Sequence, residues 1–216
     1  MSTEKTNHLF WHLATYNSGK MSPPYHQIIA IAGIEIKGET AKAWIVKSRD
    51  PSELVQRIDQ AFSEAHHVTS FTGSNFGLPV LISNAFITNT VIDTTMQKLG
   101  SAIISHTDLA KELQHLVNPD GYMGFNLLCR LCGLPPRPDL DIAAAWRDPK
   151  TQKRIGKRLL IDVVLIALGY AKCQYISNTW DAAQTKPFSR LVVEVAAQKV
   201  KIVGKMFEEF LNDNKR

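Results

Sequence analysis

The sequence predicts an α/β fold, a mixed sheet of about five strands with helices on both sides. Three observations carry this. β-branched runs crowd the first third of the chain, short strand patterns then alternate with helical ones, and the rest is mostly helical. Leu9 to Tyr16 is a short apolar stretch, and after the Ser22-Pro23-Pro24 break comes Gln27 to Ile36, rich in β-branched residues. Gly38 marks a turn and Ala41 to Val46 is the returning strand, which makes a three-stranded antiparallel meander. The first helix is well punctuated: Asp50 is an N-cap, Pro51 fits the first helical position, and Glu53 stands where a capping box places its acid. Leu54, Ile58, Phe62 and Ala65 recur on one face of it. Val68 to Phe71 reads as a short buried strand, Phe76 to Phe86 as a helix and Ser101 to Ile104 as another strand. Helices are expected at about 107–117, 122–132, 140–146, 151–173 and 188–212, with Pro135-Pro136-Arg137-Pro138 as a loop.

With 216 residues, 44% hydrophobic and 21% charged, the composition is that of an ordinary globular chain. No apolar run approaches the roughly 18–20 residues of a membrane span. The polar start, Met1 to Asn7, lacks a signal-peptide pattern, so a soluble cytoplasmic protein is expected. Cys129, Cys132 and Cys173 do not form a disulfide framework. Cys129-x-x-Cys132 has no second pair to complete a zinc site, and reduced core thiols are the simpler reading. Neither a Gly-rich phosphate loop nor a Gly-x-Ser-x-Gly elbow is present.

The net charge is +5, a mild pointer to an anionic partner. Arg147, Lys150, Lys153, Arg154, Lys157 and Arg158 form a basic run, read either as a phosphate-contacting ridge or as a solvated helix face. Lys199, Lys201, Lys205, Lys215 and Arg216 are diluted by Glu194, Glu208, Glu209 and Asp213 and read as an ordinary solvated face. Phe188 to Leu211 has a strong apolar side, which packs on the domain or serves as an interface. His26 is expected to hold its loop by a hydrogen bond, and His66-His67 to end a helix where imidazole suits the dipole.

The segment Phe71-Thr-Gly-Ser-Asn-Phe-Gly-Leu-Pro79 is the most informative stretch. Pro23-Pro24-Tyr25-His26, His106-Thr-Asp108-Leu109, Leu127 to Pro135, Asp139 to Trp146 and Asp162-Val163 accompany it in order. Together they resemble the predicted 3′–5′ exonucleases related to the proofreading domain of family B DNA polymerases. The resemblance covers about residues 8–173 and leaves 174–216 as a C-terminal helical extension packed on that domain. It implies an RNase H-like fold and a site of four carboxylates that hold two Mg²⁺ or Mn²⁺ ions about 4 Å apart. Three of the four family positions carry no carboxylate in this chain: His12 and Ala14 occupy those of the first motif and Gly77 that of the second. Asp162 alone is retained, with Arg158 one helical turn before it. Arg158 is expected either to replace part of the missing metal charge or to be a plain surface residue.

The resemblance with this departure implies a catalytically impaired exonuclease-like protein that needs no cofactor. It would bind single-stranded DNA or RNA, or a nucleic-acid enzyme, and Trp11, Tyr25 and Phe76 are candidates to stack on bases unless they are core residues. Two alternatives stay open. One is an active exonuclease with an altered Mg²⁺ or Mn²⁺ site, for which Glu35, Glu39, Asp108 and Asp141 are further acids. The other is a protein-interaction module.

Overall fold

The computed structural model describes residues 7–17, 25–100, 105–117 and 121–213. The expected break at Ser22 to Pro24, the strand expected at Ser101 to Ile104, and the charges of Lys215 and Arg216 lie outside them. Among the described residues, β1 (Asn7–Asn17), β2 (His26–Lys37), β3 (Thr40–Lys47), β4 (His67–Ser70) and β5 (Ser105–Asp108) form one sheet in the order β3-β2-β1-β4-β5. The first three strands are antiparallel, whereas β4 runs parallel to β1 and to β5.

β1 is central and buried on both faces, so its apolar residues run on with little alternation of polarity. Phe10 and Ala14 face one core, Leu9, Trp11 and Leu13 the other. A bulge opposite Ala14 and Thr15 leaves Ile29 without a partner on β1 and keeps Ile28 on the Trp11 side.

Three helices cover the Trp11 face: α1 (Pro51–Glu64), α2 (Leu78–Thr88) and α3 (Asp93–Gly100). Asp50 caps α1 by accepting from Ser52 N at 2.9 Å, but the expected capping box is absent. The Asp50 N–H donates to Ser48 Oγ instead of reaching Glu53. The chain leaves α1 at Ala65, so His66 and His67 do not serve its dipole. His66 Nδ1 accepts from Asn7 N, and His67 begins β4.

The other face carries α4 (Leu109–Val117), α5 (Phe125–Cys132), α6 (Ile142–Arg147), α7 (Gln152–Ile176), α8 (Ala182–Lys199) and α9 (Ile202–Asp213). α7 crosses β1, β2 and β3 and is buried almost continuously from Ile155 to Ala171. By length and composition it is apolar enough to cross a membrane, contrary to the expectation that no segment comes close. Its most apolar stretch is 67% buried inside the domain. One C-terminal helix was expected where two are found. α8 begins at a full Asp181/Gln184 capping box, six residues before the expected start, and tolerates Pro187 in its exposed first turns. Val200 turns extended, which brings Val203 and Phe207 of α9 onto the same core as Phe10 and Val163.

Candidate functional site

The segment after β4 makes an abrupt turn. Thr72 takes a left-handed conformation, with φ of 59°, and residues Gly73–Gly77 form one π-helical turn that leads into α2. Gly73 is required there, since a Cβ would run into the Ser70 side chain. Asp108, at the end of β5, clamps the turn by accepting from Thr72 N at 2.9 Å and Ser74 N at 2.8 Å. Its neighbour His106 bonds Ser70 Oγ at 2.9 Å. His106-x-Asp108 therefore frames the second motif. On the other side His26 is nearly buried. Asn17 Nδ2 donates to its Nε2, so Nδ1 carries the proton and donates to Thr15 Oγ1 at 2.8 Å. His26 was expected to hold its loop, but the bonds found tie β2 to β1, and residues 18–24 of that loop lie outside the described residues.

Gly77 packs against the Trp11 indole, and a Cβ there would lie 3.3 Å from Cη2. Trp11 is 1% exposed and packs on Phe62, and Phe76 is half-buried with its ring against His26. Trp11 is thus a core residue and offers no face to a base. The cleft lined by Trp11, His12, Phe71, Phe76 and Gly77 has a volume of about 10 Å³. That is room for about one water.

Asp162 lies about two turns inside the buried stretch of α7 and is 1% exposed. Both of its oxygens are engaged. Arg137 Nε donates to Oδ1 at 2.7 Å and Arg137 Nη2 to Oδ2 at 2.8 Å, a two-pronged pair. Arg158 Nε donates to Oδ1 at 3.0 Å. Arg158 is only 7% exposed, so it is neither a plain surface residue nor a member of the solvent-facing ridge. Arg137 and the Phe125 ring beneath it are site residues that sequence reasoning missed. α5 ends at Gly133, in the left-handed region, and Leu134 N returns to Cys129 O at 2.8 Å. Pro135 and Pro136 then deliver Arg137 across the Phe125 ring, its Cζ 4.2 Å from the centroid. A lone cation inside Pro-Pro-x-Pro was the available signal, because such a segment is stiff enough to aim a side chain.

His12 joins the two halves of the site. It lines the cleft with Gly77, its Nε2 is 3.9 Å from Asp162 Oδ2, and its ring edge meets Phe125 at 5.3 Å. Burial lowers its pKa to about 4, against the pull of Asp162 upward and with the Arg137 and Arg158 charges pushing down. At neutral pH the imidazole is uncharged. Between about 4 and 6.5 the unfolded chain binds the proton that folded His12 refuses, so the stability owed to neutral His12 is full above 6.5 and lost as pH falls toward 4. Burial also lowers His8, His67 and His106, which adds to the same loss. Urea unfolding followed from pH 7 to 4 is expected to show this decline, and His12→Gln to remove roughly 3 kcal/mol of it.

The donor set does not fit two divalent metals. Ala14 and Gly77 supply no ligand, Asp162 is saturated by guanidinium hydrogens, and imidazole suits Mg²⁺ poorly. The alternative acids are occupied elsewhere. Glu35 accepts from Trp44 Nε1 and Arg57, Asp108 clamps the turn, Asp141 caps α6, and Glu39 is exposed beyond β2. Among the described residues no group of three His, Cys, Asp or Glu is placed to hold a metal ion. Cys129 and Cys132 are buried thiols, the latter pushed up to about 12 mainly by burial.

Arg147, Lys150, Lys153, Arg154 and Lys157 are all exposed, running from the end of α6 through the connecting turn into the first turns of α7. Among the described residues none of the five is in an ion pair, and Arg147 lies over the Tyr16 ring at 5.8 Å. Lys199, Lys201 and Lys205 are exposed too.

A mixed sheet with β1 at its centre, crossed by the helix that bears Asp162, is an RNase H-like exonuclease fold. Of this chain, 87% superposes on 27% of the family B DNA polymerase from the hyperthermophilic archaeon Pyrobaculum calidifontis, with a TM-score of 0.64 and 14% identity. The chain thus spans about a quarter of that polymerase. Exonuclease I in its apo form aligns over 54% of this chain and 32% of its own, with a TM-score of 0.38 and 12% identity. No curated protein sequence matches the chain. The family of predicted 3′–5′ exonucleases related to the exonuclease domain of PolB matches residues 20–214, and the chain belongs to it.

Proposed function

We propose that this protein is a catalytically impaired member of its family that holds a single strand of nucleic acid along the exonuclease groove. One observation carries the reading: the only carboxylate at the four family positions, Asp162, has both oxygens engaged by Arg137 and Arg158. The five cations from the end of α6 through the first turns of α7, none of them in an ion pair among the described residues, support the nucleic-acid half of it, because such charges bind phosphates with release of counterions. A protein partner is the second reading, favoured by the exposed Phe86, Val91 and Met96 around an apolar groove of about 260 Å³ beside α2 and α3.

The deciding experiment follows a 5′-labelled single strand, as DNA and as RNA, with Mg²⁺ or Mn²⁺, beside an Asp162→Asn control. The strand is expected to stay intact in every lane. It is also expected to bind with an affinity that falls steeply with salt, by a log–log slope of roughly −3 to −4 if each of the five cations meets one phosphate. Shortening from the 3′ end that vanishes in Asp162→Asn would overturn the impaired reading. Salt-insensitive or absent binding would favour the protein partner.

A further inference from the structure

We propose that Arg137 and Arg158 form a receptor for one phosphate group of the bound strand, with Asp162 as the positioning residue that holds the two guanidiniums side by side. This rests on the strand-holding reading. The Nε groups of both arginines converge on the same oxygen, Asp162 Oδ1, at 2.7 and 3.0 Å. The two cations and one carboxylate leave one net positive charge in a water-poor place. A charge so placed acts more strongly on an anion than one in bulk water.

An orphaned donor points the same way. Among the described residues, the buried side-chain polar atoms without a partner are Arg158 Nη1 and Trp11 Nε1. Both are donors, and Arg158 Nη1 belongs to this site, whereas Trp11 packs in the core on the opposite face of the sheet. A buried guanidinium N–H without an acceptor is costly, and an oxyanion supplies the acceptor. The Arg158 side chain is only 8% exposed, whereas Arg137 is 30% exposed and commits Nε and Nη2 to Asp162. Its remaining edge is the entrance, fixed in plane by Phe125 beneath it. A planar fork of this kind matches two oxygens of a phosphate, which a lysine ammonium cannot do. Lys157 and Arg154 lie within one turn of Arg158 on α7, so the receptor continues the basic ridge inward.

The test neutralises one linkage at a time in a short single strand by methylphosphonate substitution. Binding is measured to the native protein and to Arg137→Ala. One linkage is expected at which neutralisation weakens native binding roughly 10- to 100-fold and leaves Arg137→Ala binding unchanged. Equal losses in both proteins at every linkage would overturn the proposal while leaving the strand-holding reading intact. Should Arg137→Ala fail to fold, Arg137→Lys carries the comparison, and it is expected to keep the charge but lose most of the linkage-specific effect. Should no strand bind, the strand-holding reading fails by itself, and titration with inorganic phosphate judges the receptor. Binding that Arg137→Lys abolishes upholds an anion site, and no binding overturns it.

Discussion

Asp162→Ala is expected to destabilise the domain by about 3–5 kcal/mol, read as a lower urea midpoint at unchanged slope. The variant removes the counter-ion of a guanidinium that is almost entirely buried in α7 and leaves Arg158 with no carboxylate. Arg137 can turn to solvent, but Arg158 cannot without unpacking the helix from β1 and β2. The sign is as informative as the size. In a site of four crowded carboxylates, deleting one acid relieves repulsion between like charges, and such sites are commonly stabilised by it. Here the acid is outnumbered by cations, so its loss destabilises. Asp162→Asn, which keeps one acceptor oxygen for the arginines, is expected to fall between the native protein and the alanine variant. A stabilised Asp162→Ala protein would mean that the arginine pairing does not persist in solution.

Phe207→Ala is expected to cost a similar 3–5 kcal/mol. Phe207 lies on α9, near the end of the described chain, yet it is fully buried in the cluster that holds Phe10, Val163, Val192 and Val203. The loss is expected in one cooperative transition, followed by circular dichroism and Trp fluorescence together. If the fluorescence transition stays in place while a small helical transition separates and moves down, residues beyond 173 form a unit that unfolds by itself. A single shared shift means that α8 and α9 complete the core that α7 begins.

Much of this architecture is legible from sequence where local chemistry and tertiary role agree. Asp50-Pro51 opens α1, Gly38 turns β2 into β3, and the β-branched run from Gln27 to Ile36 is a strand in any context. What escapes is decided by long-range contacts. α3 has little apolar pattern of its own and is tied down by Asp59, which accepts from both Thr95 N and Thr95 Oγ1 at 2.7 Å. The break at Val200 follows from the core, which takes Val200 and Val203 from either side of it, and no glycine or proline announces it. At the site, the spacing Arg158 to Asp162 is visible because it is local, whereas Arg137 comes from 25 residues away through a proline strap. The burial of Trp11 is likewise hidden, because it depends on the space left by Gly77 on another element.

The placement of Asp162 and Arg158 on α7 has a consequence for motion. α7 is the most deeply buried helix described, and its backbone can open only when the sheet and the helices around it open too. The paired groups therefore have no small, low-energy unfolding of their own. Whatever enters this groove meets a fixed charge pattern, and adjustment is confined to the groove's outer wall, to Arg137 and the exposed side chains of the ridge. Association is then governed by encounter and side-chain rotation, on the fast end of protein timescales, and needs no rearrangement of the backbone that carries the site.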